Sequence, residues 1–396
     1  MDTPEKITAN DSTPNNTFLS TEGVSILDSI EETVSCRSNG NDNSLSAHEK
    51  PGYALRSFVE KFIDTKIGPV PVIKTRLGRN DLFSTFYVRC GIRRHRYTVS
   101  PGLYAIGNPD KDSEVLVTAN FKLTFDMLRK ELDGISAWIL VLDTKGVNVW
   151  CAAGKGTFST RELVKRITDN HLEKFVNHKQ IIVPQLGATG VSARDVKKQS
   201  QFRVIYGPVR ASDIRAFLKN HKKAEKQMRQ VTFTMYERFI LTPVEIQTIL
   251  KPALITAFVL LLLAGIGPGI YSFSGVLQRG GVSVLALAAG IFAGAFVTPV
   301  LLPYIPSRKF ALKGIIAGSI IALIPILFAE HVVNGMAGYL ALFLFSITIS
   351  SYLAMNFTGA TPFTSPSGVE KEMKQYIPVQ LASLVISFGL WIYSAF

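Results

Sequence analysis

Five uncharged apolar stretches dominate the last third of the chain, at approximately 252–270, 282–303, 314–329, 336–355 and 376–396. As helices, stretches of this kind can cross a hydrocarbon core of roughly 30 Å. The third is short, but it can borrow 310–312 if Lys313 snorkels to the interface. Lys251, Arg308, Lys309, Lys313, Lys371 and Lys374 fall on one side of these segments, and only Arg279 falls on the other. The positive-inside rule then predicts a multi-pass cell-membrane protein with its N-terminal domain in the cytoplasm and its C-terminus outside. No Asp, Glu, Lys, Arg or His occupies the middle of a span. Ion and proton pathways usually carry such residues, so an anchor and docking platform is favoured over a transporter. The pairs Gly265/Gly269, Gly290/Gly294 and Gly314/Gly318 suit close helix packing.

The charge is placed just as unevenly. Residues 1–48 hold eight acids against Lys6 and Arg37, with few apolar clusters, and read as a disordered acidic tail. No basic stretch followed by an apolar one opens the chain, so no signal peptide is expected. Of the whole-chain +13, the tail carries −6 and 252–396 carries +3, leaving about +16 on 49–251. A domain so basic is drawn to anionic lipid and to acidic proteins. It lacks a basic helix or aromatic stacking motif, so no nucleic acid is expected.

Between the tail and the spans the texture is globular. IGPVPVIKT (67–75) and FSTFYVRCGI (83–92) read as strands, being rich in β-branched and aromatic residues. VLVTAN, AWILVLD (137–143), QIIVP (180–184) and FRVIYGPV (202–209) are further strands. FKLTFDMLRKEL, TRELVKRITDNHLEKF, SARDVKKQS and ASDIRAFLKNHKKAEKQ are the helices between and after them. QVTFTMYERFIL alternates and leads into the membrane region. The expected architecture is a parallel, Rossmann-like α/β domain over 49–241, followed by an all-α transmembrane domain of five helices over 242–396. In such sheets ligands sit beyond the carboxyl ends of the strands, here at Thr118–Asn120, NVWCAAGKG, QLGATG and YGPV.

Three cysteines, Cys36, Cys90 and Cys151, stand far apart with no CxxC. The chain therefore supplies no four-thiolate iron–sulfur cluster, no cysteine-based zinc site and no disulfide framework, which suits a reducing compartment. The histidines show no metal spacing. Cys151 lies within NVWCAAGKG (148–156), whose Gly154–Lys155 pair fails as a phosphate loop. That loop needs glycine where Val149 stands and Ser or Thr where Gly156 stands. A lone cysteine is most often a small buried thiol. Cys151, however, ends a strand and heads a helix, where the dipole favours thiolate. Trp150 and the Ala152–Ala153 pair would form a flat apolar shelf around it, on which a large planar ligand could lie.

NVWCAAGK resembles, at all eight positions, the cap-helix signature of the HgcA family of mercury-methylating corrinoid proteins. PGLYAIGNPDKDSEVLVTANFKLTFDMLRKEL (101–132) resembles the related corrinoid iron–sulfur protein of the acetyl-CoA pathway. QLGATGVSA (185–193) and YGPVR (206–210) resemble its later cofactor loops. The five-span tail with MNFTGATPFTSPSGVEKEM (355–373) is also similar to the first family. The likeness covers roughly 50–396 and leaves out the acidic tail. The four-cysteine cluster domain of the acetyl-CoA relative is missing, so electrons would come from another protein.

The resemblance implies a base-off corrinoid of the cobalamin type, with Cys151 as the lower axial ligand of cobalt. It implies a cofactor site formed by Asn148, Val149, Trp150, Cys151, Ala152, Ala153, Gly154 and Lys155, with Thr118, Asn120, Thr189, Gly190, Val191, Tyr206, Gly207 and Pro208. The implied activity is a methyltransferase that passes a cobalt-bound methyl group to Hg(II). The partners are a two-cluster ferredoxin, HgcB, and a methyl-folate-dependent methyl donor. Mercury(II) is an electrophile, so methyl must leave with its electrons, and a soft thiolate stabilises the oxidised cobalt left behind. Low-potential electrons are then needed to recharge it. Two other readings stay open: a membrane-bound corrinoid carrier serving another acceptor, and a non-enzymatic membrane protein with a cytoplasmic binding domain.

Overall fold

The computed structural model describes residues 56–396, apart from His331, Asn334, Pro362, Phe363 and Ser365. The acidic segment 1–48, with Cys36, lies outside the described residues.

One sheet of seven strands organises the front domain: β1 (Val59–Thr65), β2 (Gly68–Ile73), β3 (Gly102–Ile106), β4 (Val115–Ala119), β5 (Ala137–Leu142), β6 (Gln180–Val183) and β7 (Arg203–Tyr206). Their spatial order is β1-β2-β3-β5-β4-β6-β7. The four strands β5, β4, β6 and β7 are mutually parallel. The sheet as a whole is mixed, which corrects the all-parallel expectation. β3 pairs antiparallel with β5, Leu103 opposite Leu140, and β1 pairs antiparallel with β2. Both β1 and β3 escaped the sequence reading.

The helices are α1 (Arg79–Arg89), α2 (Lys122–Lys130), α3 (Val149–Gly154), α4 (Thr160–Asp169), α5 (Ala193–Ser200) and α6 (Ile214–Lys219). Strand β5 shows how they cover the sheet. Trp138, Leu140 and Leu142 join one core with Ala152, Leu163 and Val196 from α3, α4 and α5. Ala137, Ile139 and Val141 join the other core with Phe125 and Phe217 from α2 and α6. Side chains of a strand alternate between faces, so a strand covered on both faces reads as a continuous apolar run. Each such side chain contributes roughly 1.5–3 kcal/mol by leaving water.

The stretch 83–92 is not a strand. It belongs largely to α1, because Asp81 fixes a helix start: its carboxylate accepts from the Gly78 N–H at 3.0 Å. The same carboxylate reaches Lys122 at 2.7 Å and Arg129 at 2.8 Å, locking the turn to α2. The helix after β7 is also shorter than expected. It stops at Lys219, just before His221 and Lys222 adopt positive φ.

Five apolar helices follow: α7 (Met235–Ala264), α8 (Phe273–Ile291, continuing through a π-helical turn to Val300), α9 and α10 (Phe310–Ile321 and Leu323–Phe328, one span), α11 (Gly335–Asn356) and α12 (Pro366–Tyr393). Each is long and apolar enough to cross a membrane. The first begins far earlier than 252. Thr234 and Glu237 form a reciprocal cap that starts the helix inside the stretch expected to alternate. It also ends earlier, in a two-strand hairpin of β8 (Ile266–Gly267) and β9 (Ile270–Tyr271).

Two glycine pairs do pack helices. A Cβ on Gly290 would come within 2.7 Å of the Ser346 carbonyl, and one on Gly314 within 2.6 Å of the Ser350 carbonyl, so α8 and α9 both press on α11. In the third pair only Gly265 packs closely, a Cβ there coming within 2.5 Å of the Tyr271 ring and 2.8 Å of Val276 on α8, while Gly269 faces open space. Lys313 does not snorkel to water. It is buried, and its ammonium donates to the Leu302 and Ile305 carbonyls at 2.5 and 2.6 Å, closing the end of the preceding span.

Candidate functional site

The chain leaves β4 for β5 on one side and returns past β4 to β6 on the other, so the direction of crossover reverses beside β4. Ligand crevices in open α/β sheets form beyond the carboxyl ends of the strands at such a point. A cavity of ≈ 400 Å³ opens there, between the ends of β4, β6 and β7 and helices α2 and α3. Six of the expected residues line it: Thr118, Asn148, Val149, Trp150, Gly207 and Pro208.

The loop that delivers α3 is held from below. Asn120 is buried, and its side-chain Oδ1 accepts from the Thr144 N–H, the Thr144 hydroxyl and the Gly146 N–H at 3.1, 2.8 and 3.0 Å. Asn120 is therefore used up in positioning and does not line the cavity. Asn148 then caps α3, its side chain accepting from the Cys151 N–H at 2.9 Å.

The short helix has a clear inner and outer face. Val149, Ala152 and Ala153, spaced i, i+3, i+4, are buried in the core, while Trp150 and Cys151 face outward and are exposed. The expected shelf of Ala152 and Ala153 beside Cys151 is thus not formed. Both alanines point the other way, and Trp150, 44% exposed, is the flat surface beside the sulfur. Gly154 and Lys155 are exposed at the far end of the helix.

The loop after β6 holds this helix in place. A Cβ on Gly190 would collide with the Phe158 carbonyl and come within 3.1 Å of the Ala153 Cα, so only glycine lets the two segments touch. Tyr206 donates its hydroxyl to the Val191 carbonyl at 2.6 Å, tying the loop to β7. Gly190, Val191 and Tyr206 therefore support α3 from behind, and Thr189 is exposed.

Three arginines that the sequence reading did not assign also line the cavity: Arg89, Arg94 and Arg210. A signal for the first two was present, since 89–96 holds four arginines in eight residues. Arg94 lies 5.2 Å from the centre of the Phe121 ring. Burial lowers its pKa from the ordinary value, repulsion from Arg89 adds to that, and Cys151 acts in the opposite sense. The cysteine and this guanidinium are thus electrostatic neighbours. Arg210 is turned away in part, bonded to Thr232 and at 3.1 Å from Glu237 at the start of α7. The site therefore combines an exposed thiol, an indole face, an apolar cavity and a positive rim.

This part of the chain is similar to known proteins. Residues 84–218 match the family model described as CO dehydrogenase/acetyl-CoA synthase delta subunit. The gamma subunit of an acetyl-CoA decarbonylase/synthase complex from Archaeoglobus fulgidus is 32% identical over 125 residues, 31% of this chain and 26% of that protein. The corresponding subunit from Methanocaldococcus jannaschii is 34% identical over 130 residues, 32% of this chain and 26% of that protein. The one from Methanopyrus kandleri is 34% identical over 127 residues, 32% and 27%. The chain thus spans about a quarter of the length of the curated relatives it matches. The matched stretch contains the whole cavity and α3, and stops before the first of the five long apolar helices.

Proposed function

We propose that this chain is a membrane-anchored, corrinoid-dependent methyltransferase that transfers methyl to Hg(II), with Cys151 as the lower axial ligand of cobalt. One observation carries the reading: an exposed cysteine on a capped, core-anchored turn at the edge of the switch-point cavity. The similarity to acetyl-CoA decarbonylase/synthase gamma subunits supports corrinoid over other planar ligands, and NVWCAAGK supports mercury over other acceptors.

The residues present suit such a group. A cavity of ≈ 400 Å³ takes a nucleotide tail but not a whole corrin, which leaves the ring for the exposed surface of Trp150 and Cys151. Arg89 and Arg94 put positive charge on the lining of the cavity, where they would pair with the phosphodiester of a bound tail. The side-chain amide oxygen of Gln185, buried between the lining residues Pro184 and Leu186, has no protein hydrogen-bond partner. When bound, a methylcorrinoid supplies a methyl group that can leave with its bonding electrons, so each turnover consumes reducing equivalents. The chain's part is to hold the thiolate in place, orient the ring on the indole and keep water from the cavity. Asn148 spends its side chain on the backbone, which leaves the sulfur of Cys151 free for the metal.

The electrons would come from a two-cluster ferredoxin attracted by the basic domain, and methyl from a methyl-folate-dependent donor. The domain would face the cytoplasm and the C-terminus the outside, from the Lys/Arg asymmetry of the loops. A reporter fused after Phe396 that works only in the cytoplasm would refute that orientation.

The deciding experiment purifies the full chain, loads it with methylcobalamin and compares it with Cys151→Ala. The variant should keep its fold, because the side chain is exposed. It should retain part of its cobalt, lose the thiolate–cobalt absorption, and methylate Hg(II) at least roughly 10²-fold more slowly. Normal activity in the variant would end the proposal. Retained corrinoid binding without any transfer to Hg(II) in the unmodified chain would instead favour a carrier for another acceptor.

A further inference from the structure

Helix α1 presents an apolar face that no described residue covers. Leu82, Phe83, Phe86 and Tyr87 are 58%, 64%, 64% and 53% exposed. Single exposed apolar residues are ordinary, but four large ones in a row on one helix mark an interaction surface. The helix cannot roll to hide them. Its opposite face holds Asp81, ion-paired to Lys122 and Arg129 inside the domain, and Ser84, 2.7 Å from the Tyr97 hydroxyl.

The position of the helix says what meets this face. Just past its end, Gly91 lies so close to α7 that a Cβ there would come within 2.8 Å of the Gln247 side-chain oxygen. The domain touches the same helix at Glu237, through Arg210. At 1.5 Å per residue, that contact lies roughly 15 Å further from the apolar end of α7. Lys251 follows Gln247 by one turn, and no charge occurs from there to the end of the helix. Leu250, Leu254, Ile255 and Phe258 are more than half exposed on α7. The aromatic face of α1 therefore continues the lipid-exposed surface of the first span.

We propose that α1 is an interfacial membrane helix. Leu82, Phe83, Phe86 and Tyr87 enter the boundary between headgroups and acyl chains, and the exposed Arg76 and Arg79 lie against anionic headgroups. The bilayer then fixes the soluble domain in orientation as well as in location. Because α1 ends in Arg89 on the rim of the cavity, the cavity opens next to the membrane surface. This inference does not depend on what the cavity binds.

The test places the photoreactive residue p-benzoyl-phenylalanine at Phe83 in the full chain. The protein is reconstituted in nanodiscs of roughly three parts phosphatidylcholine to one part phosphatidylglycerol. Leu254 on the exposed face of α7 is the positive control position, and exposed Lys165 on α4, across the sheet, is the negative one. Illumination should give lipid adducts at Phe83 comparable with those at Leu254 and at least roughly tenfold above Lys165. Lipid labelling at Phe83 no higher than at Lys165 would overturn the proposal. So would adducts formed mainly with a second copy of the chain.

Discussion

Two sets of cations sit within one domain, and they are treated in opposite ways. Lys122 and Arg129, on α2, are buried, and each reaches both Asp81 and Asp126 at 2.7–2.8 Å. Arg129 also donates to the Lys74 and Arg76 carbonyls at 2.6 and 3.2 Å, and its guanidinium lies 5.5 Å from the Phe58 ring centre. This cluster is internally neutral and ties α1, α2 and the end of β2 together. Arg89 and Arg94 have no carboxylate partner among the described residues, although both are half-buried on the cavity rim. Buried charge is retained only where something neutralises it. The paired set is complete in the protein alone, and under the proposed function the unpaired set would be completed by the phosphate of the bound cofactor.

The comparison breaks most visibly at Asp126. Asp126→Ala would leave two buried cations sharing one carboxylate, which costs roughly 3–5 kcal/mol. Amide exchange in α1 and α2 should accelerate roughly 10²- to 10³-fold, with less effect from Asp126→Asn, which keeps an acceptor. The cluster also sets a pH window. Burial works to raise the Asp81 carboxyl, but hydrogen bonds from Lys122 and the Gly78 N–H, with the charges of Lys122 and Arg129, leave it below its ordinary 3.8. Burial works to lower Lys122, but Asp126 and Asp81 leave it above its ordinary 10.5. The carboxylate's contribution is therefore present above 3.8 and lost as pH falls through its lower folded value. The lysine's is complete below 10.5 and lost as pH rises through its higher folded value. The protection of α1, taken as its exchange rate relative to the intrinsic rate at each pH, should be flat between these limits, and a loss of protection between pH 6 and 8 would contradict the pairing.

The rim arginines should behave in the reverse manner. Arg89→Ala with Arg94→Ala should leave amide exchange in α2 unchanged and weaken cobalamin binding roughly tenfold or more, as expected for charge-assisted hydrogen bonds. Cobinamide, which lacks the nucleotide tail and its phosphate, sharpens the contrast. If the arginines meet that phosphate, the double variant should bind cobinamide as well as the unmodified chain does. An equal loss for both ligands would mean that these residues merely support the cavity wall.

How much of this was legible without coordinates depends on what each element is buried against. β5 could be read directly, because both of its faces are covered and AWILVL is apolar throughout. The spans could be read because lipid demands uncharged runs, although their ends were set by caps and by a hairpin that hydropathy does not register. The mixed sheet was hidden, since a period of two carries no information about strand direction. Helix α1 was misread because its aromatics face outward while the residue that decides its conformation, Asp81, answers to cations forty and more residues away. In α3 the position of Cys151 was evident, but a six-residue helix gives too few turns to phase. Ala152 and Ala153 were therefore placed on the wrong face.

The smallest expected effect concerns the one cavity arginine that does have a carboxylate. Arg210 meets Glu237 at 3.1 Å, yet the two side chains are 44% and 36% exposed, so water screens the pair. Such bridges contribute roughly 0.2–1 kcal/mol. Glu237 has a second task, accepting from the Thr234 N–H at 2.7 Å to cap α7, so a single substitution there mixes two losses. A double-mutant cycle of Arg210→Ala and Glu237→Gln separates them, read by amide exchange in the first turn of α7 and by cobalamin affinity. The coupling should stay below roughly 1 kcal/mol in both readouts, because the Gln247 contact also holds the domain against the span. A coupling of several kcal/mol would mean that Arg210 behaves like the buried set despite its exposure. Occupancy of the cavity would then be felt directly at the start of the first membrane helix.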